Sequence, residues 1–141
     1  MCSNAQGTIH RLTVAGEVRC FSTLLSPSAV RPAPILIMHH GATGGAWQFC
    51  SGPFAQQAAD SGLALVCTEA VGGNWRFGDP NTCLAAAGDA DLVYTARVVG
   101  VLEADPKAYD ARRIFHVGFS QGALVRTAKR SSQHQPLVLS T

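Results

Sequence analysis

Along the first 25 residues apolar and polar positions alternate with a period of two. Thr8 to Val14 and Glu17 to Leu25 are β-rich runs separated by Ala15-Gly16, a pattern that predicts an antiparallel hairpin. A proline-bearing link, Ser26 to Pro34, leads into "ILIMHH", where alternation gives way to a continuous apolar run. Runs of that kind are buried on both faces of parallel sheets, so this strand is expected to be central. "LALVCTEA" repeats the pattern, and "RRIFHVGFS" supplies a third parallel strand.

Between these strands the period becomes helical. "GPFAQQAADSG" reads as a helix from about Pro53 to Asp60, with proline early and Gly62 closing it. From Asp89 to about Ala104, Leu92, Ala96, Val99 and Leu102 recur at helical spacing, and Asp89 and Asp91 sit where a helix N-terminus favours negative charge. Asp105-Pro106 ends that helix. "GATGGA" and "VGGNWRFGDPNTC" read as loops, the second too irregular for core. Strand, helix, strand, helix, strand is the order of an α/β fold.

Composition narrows the function classes. Eleven Lys and Arg against nine Asp and Glu, in 141 residues of which 14% are charged, leave no footprint for nucleic acid and no polybasic membrane surface. No apolar run approaches the roughly 18 residues of a membrane span, and "MCSNAQGTIHRLTVAGEV" lacks the apolar stretch of a secretory signal, so the chain reads as soluble and its compartment as open. Five cysteines, Cys2, Cys20, Cys50, Cys67 and Cys83, contain no Cys-x-x-Cys pair. A metal site is therefore not expected, and the odd number leaves at least one thiol outside any intramolecular disulfide.

The chemistry concentrates in Gly118-Phe119-Ser120-Gln121-Gly122, a Gly-x-Ser-x-Gly. In a chain of this composition that pattern arises by chance in about one sequence in ten, so its surroundings decide its meaning. It follows the apolar Ile114, Phe115 and Val117 and precedes the small-residue start Ala123, Leu124, Val125, the strand-turn-helix setting of a nucleophilic serine. Side chains at positions 118 and 122 are expected to strike neighbouring backbone. "HHGATGG" after the first buried parallel strand is an independent second half-site. The amide of Ala42 (or Thr43), with that of Gln121, would make the two-donor oxyanion hole of acyl transfer. His39 and His40, as strand neighbours, point to opposite sides, so one is structural while the other braces the loop. His40, Trp47 and Trp75 are candidates for a substrate pocket, and His116 reads as core.

The succession "HHGATGG", "LVCTEAVGGNW", "DADLVYTARVVGVLEAD" and "YDARRIFHVGFSQGA" resembles the feruloyl esterase, acetylxylan esterase and polyhydroxybutyrate depolymerase group of the α/β-hydrolase superfamily, over about Ala33 to Val125. The resemblance implies the N-terminal half of an α/β-hydrolase fold: antiparallel first strands, then a parallel sheet with flanking helices, in one partial domain over residues 1–141. It implies a cofactor-free serine esterase acting on a small-molecule or polysaccharide-linked ester, with Ser120 as nucleophile and the amides of Ala42 and Gln121 as oxyanion donors. An aspartate and a histidine would follow the serine. No Asp or Glu follows Asp110, the only later histidine is His134, and residues 126–141 form a divergent polar tail. The expectation is thus a chain truncated after the nucleophile turn, with very low activity of its own and "PLVLS" as a sixth strand at most.

Two other readings compete. A dinucleotide fingerprint would need glycine at 41, 43 and 46, where the chain has Gly41, Thr43 and Ala46. A non-catalytic remnant would keep the loop and pocket to bind a ligand or partner.

Overall fold

The computed structural model of the chain describes residues 5–76 and 90–123. Strands β1 (Thr8–Val14) and β2 (Glu17–Leu24) form the hairpin, with Ala15 at φ 50° and Gly16 at φ 79° in its turn. Two successive positive φ values suit a two-residue turn whose twist matches the flanking strands. Strands β3 (Ala33–His39), β4 (Ala64–Thr68) and β5 (Tyr109–Gly118) follow, linked through helices α1 (Gly52–Asp60) and α2 (Ala90–Glu103). The sheet order is β1-β2-β4-β3-β5; β2 and β4 are antiparallel, whereas β3 runs parallel to both β4 and β5. β3 is therefore interior, as its unbroken apolar run requires.

Strand alternation divides the core between two faces. On one, Met38, Leu65 and Cys67 pack with Ala55 and Ala58 of α1; on the other, Phe21, Ile35, Ile37 and Val66 pack with Tyr94, Val98 and Leu102 of α2. The result is a helix-sheet-helix sandwich. A disulfide between Cys50 and Cys67 ties the segment before α1 to β4, and Cys20 is disulfide-bonded as well. No helix among the described residues is long and apolar enough to cross a membrane. The proposed sixth strand and the polar tail lie outside the described residues.

The expected inner face of α2 needs correction. Its buried residues are Asp91, Tyr94, Thr95, Val98 and Leu102, while Ala96 is exposed and Leu92 and Val99 are only half-buried. The reason is a polar network inside the core. Arg19 of β2, 2% exposed, donates to Asp91 at 2.7 Å and stacks its guanidinium 4.1 Å above the Tyr94 ring. Tyr94 in turn donates its hydroxyl hydrogen to the Cys20 carbonyl and accepts from the Glu69 amide, and burial pushes its phenol far above the ordinary range. Asp91 also accepts the Arg76 amide. Charge buried this way persists only when paired.

The loop judged too irregular for core is also corrected. Trp75 is 3% exposed and belongs to the α2-side core cluster.

Candidate active site

The parallel register sets His39 opposite both Thr68 and Gly118, so the loops after β3, β4 and β5 leave the sheet at one level. In α/β sheets that carboxyl edge is where ligands bind. The Phe119 amide donates to the His39 carbonyl at 3.0 Å, carrying the pairing just past β5. Ser120 then turns sharply, with φ 52°, and Gly122 and Ala123 begin a helical turn closed by Gly122 N–H to Phe119 and Ala123 N–H to Ser120, each at 2.9 Å.

The two flanking glycines are there for room, as expected. A Cβ at Gly118 would lie 2.6 Å from the Ala123 nitrogen, and one at Gly122 would lie 2.7 Å from the His39 carbonyl carbon. Gly41 completes the close approach: a Cβ there would meet the Phe119 ring at 3.0 Å and Ser120 Cβ at 3.3 Å. The serine turn and the glycine-rich loop thus pack directly on one another. Ser120 and Ala42 are exposed and Gln121 is half-buried. Among the described residues the amides of Ala42 and Gln121 donate to no protein acceptor, whereas Thr43, at φ 58°, directs its amide to Asn74 at 3.4 Å. Of the two loop amides, that of Ala42 is the one left open.

His40 and Trp75, the other two pocket candidates, are both buried. A carbonyl can only accept and an amide can only donate, so the partners of His40 fix its tautomer: Nδ1–H donates to the Gly41 carbonyl at 2.6 Å, and Nε2 accepts the Ala70 amide at 3.0 Å. Burial pushes the His40 pKa below 6.5, against an opposing pull from the Gly41 carbonyl and from Glu69 and Asp91. The Trp75 indole donates to the His40 carbonyl at 2.7 Å, and its backbone amide donates to Gln121 Oε1 at 3.0 Å. Trp47, by contrast, is 51% exposed beside Gly45, and Phe119, which sequence reasoning passed over, is 65% exposed beside Ser120.

His39 is a core residue. Thr68 Oγ1 donates to the Met38 carbonyl and therefore accepts from His39 Nδ1 at 2.7 Å, which leaves His39 Nε2 facing His116 Nδ1 at 3.2 Å. His116, 8% exposed, is likewise core rather than a base at the surface.

This arrangement of sheet, crossovers and serine turn is the N-terminal half of an α/β-hydrolase fold. Solved structures bear it out. An acetyl xylan esterase from Aspergillus awamori superposes with a TM-score of 0.65 at 18% identity, covering 84% of this chain and 45% of that one. A poly(3-hydroxybutyrate) depolymerase from Bordetella parapertussis also gives 0.65, at 16% identity over 93% of this chain and 48% of the other. An S-formylglutathione hydrolase from Staphylococcus aureus gives 0.60 at 14% identity, over 82% and 48%. The chain spans about half the length of these enzymes. No protein-family model matches the sequence, nor does any curated protein.

Proposed function

We propose that this chain carries the nucleophile and oxyanion half of a serine hydrolase acting on carboxylic esters, of the feruloyl esterase, acetylxylan esterase or polyhydroxybutyrate depolymerase kind. The observation that carries the reading is the contact between the two half-sites, with Ser120 held at φ 52° against Gly41 of the loop that bears Ala42. A non-glycine residue in that conformation is strained, and such strain collects at functional turns.

In the proposed reaction Ser120 Oγ bonds to the ester carbonyl carbon while its proton passes to a base. The carbonyl π pair moves onto oxygen, and the amides of Ala42 and Gln121 receive that oxyanion. Collapse expels the alcohol, which takes up the proton, and water then releases the acid by the same route. The exposed rings of Trp47 and Phe119 would flank the substrate. Among the described residues His39, His40 and His116 are buried in hydrogen-bonded positions, and none serves as that base. With no histidine among the described residues placed to serve the serine, the expected hydrolysis is slow: an oxyanion hole and binding alone leave about 10³ to 10⁴ over water.

Hydrolysis of 4-nitrophenyl acetate by the chain and by Ser120→Ala tests this. A slow release of nitrophenolate that disappears in Ser120→Ala supports the nucleophile. Equal rates reject it and leave a ligand-binding remnant.

A further inference from the structure

We propose that the Gln121 side chain is a positioning residue that ties the two oxyanion donors to each other. This rests on the ester-hydrolase reading above and concerns a part of Gln121 that the reading does not use. One donor is the backbone amide of Gln121. Its own Oε1 accepts the Trp75 amide at 3.0 Å, 46 positions away in sequence. The Trp75 indole continues the path, donating at 2.7 Å to the His40 carbonyl, and its ring packs against the His40 imidazole at 5.1 Å between centroids. His40 closes it by donating to the Gly41 carbonyl at 2.6 Å, on the peptide unit whose nitrogen is the amide of Ala42, the second donor.

The path therefore begins on the residue that supplies one donor and ends on the peptide that supplies the other. Backbone pairing does not provide this link. The last backbone bond between the two segments, Phe119 N–H to the His39 carbonyl, lies before both donors. Beyond Ala42 the loop passes through Thr43 at φ 58°, held by a long 3.4 Å bond to Asn74. A loop strained and loosely held at that point keeps its amide aimed only if something else fixes its start. A Gln at 121 is long enough to reach the Trp75 backbone, where Ser or Ala would stop short. The geometry of the hole matters because a displacement of about 1 Å at a reacting centre costs on the order of 10²-fold in rate.

The test compares the unsubstituted chain with Gln121→Met, which keeps the length without the acceptor, Gln121→Glu, which keeps an acceptor oxygen, Trp75→Phe, and the Met/Phe double variant. Two readouts are taken: hydrogen exchange of the Trp75 amide by NMR, and kcat and KM on 4-nitrophenyl acetate. Gln121→Met is expected to speed exchange at the Trp75 amide about tenfold or more and to lower kcat by about 10- to 100-fold at nearly unchanged KM. Gln121→Glu is expected to restore the protection. Because both residues act along one path, the double variant is expected to lose little more kcat than the worse single one. Fully additive losses, or a Trp75 amide as protected in Gln121→Met as in the unsubstituted chain, overturn the proposal. The exchange measurement stands whatever the activity, so a chain whose hydrolysis does not depend on Ser120 rejects the esterase reading without deciding the tie. In that case unchanged exchange rejects the tie as well, and accelerated exchange upholds it.

Discussion

Gly122 sits so close beneath His39 that a Cβ on it would stand 2.7 Å from the His39 carbonyl carbon, and nearer still to the oxygens of His39 and His40. The atoms in the way are backbone, joined to β3 in the middle of the sheet, and have nowhere to move. Gly122→Ala is therefore expected to destabilise the fold by about 3 kcal/mol, the upper range for overpacking. Gly100 of α2 provides the contrast, since nothing lies within 4 Å of a Cβ there. Gly100→Ala is expected to be neutral or to stabilise by up to about 1 kcal/mol through helix propensity. Urea unfolding of the two variants decides; equal midpoints would mean that the serine turn is not packed against the loop.

Ser120 adopts φ 52°, a conformation that glycine takes without strain. Relief of that strain is expected to make Ser120→Gly more stable than the unsubstituted chain by about 1 kcal/mol while abolishing serine-dependent ester hydrolysis. Thermal unfolding measures the first effect and nitrophenolate release the second. A variant less stable than its parent would show that the turn is relaxed.

Much of this was legible in the sequence, and the parts that were not share a cause. The five strands, both helices and the serine turn follow from periodicity and from glycine placement, which are local. The inner face of α2 was hidden because Asp91 and Thr95 look polar in a one-dimensional pattern, and the partner that makes Asp91 a core residue, Arg19, is 72 positions away. His40 and Trp75 read as pocket residues because imidazole and indole can serve either role. Only the acceptors and donors around them, on three different loops, show that they brace the loop. The pairing of Cys50 with Cys67 is in the same class, since spacing alone cannot choose among five cysteines.

The Arg19–Asp91 pair gives a direct test of that hidden core. Both side chains are 2% exposed, and Asp91→Ala leaves the guanidinium buried without its carboxylate. The expected loss is about 3 to 5 kcal/mol. Replacing both partners by apolar residues, Arg19→Met with Asp91→Leu, is expected to recover much of it, because no unpaired charge remains. A double variant as unstable as Asp91→Ala would mean that hydrogen bonds to Asp91, such as that from the Arg76 amide, matter more than its charge.

Cys50 and Cys67 are 17 positions apart, and closing a loop of that size restricts the unfolded chain by about 3 kcal/mol. Cys50→Ala with Cys67→Ala is expected to lower stability by about that amount under oxidising conditions. The same pair of substitutions is expected to have a much smaller effect in dithiothreitol, where the parent has lost the bond too. Parallel urea titrations with and without reductant separate the cross-link from the packing of the two buried side chains.

Acid should loosen the loop through His40. Its imidazole is neutral in the fold, with Nε2 accepting the Ala70 amide, and burial lowers its pKa from 6.5. Protonation would set two donors against each other, so the unfolded chain binds that proton more readily than the folded one. The contribution is therefore complete above about pH 6.5 and is lost as pH falls from there through the lowered folded value. His10, also lowered by burial, acts in the same direction, so the comparison must isolate one site. Asp110 is separable: hydrogen bonds from Arg112 and then Arg113 hold its carboxyl well below the usual carboxylate range, and its share is lost only in stronger acid. Unfolding free energies measured from pH 8 to 4.5 are expected to fall more steeply below pH 6.5 in the parent than in His40→Gln, which keeps an acceptor for Ala70. Identical slopes would remove His40 as the group that titrates.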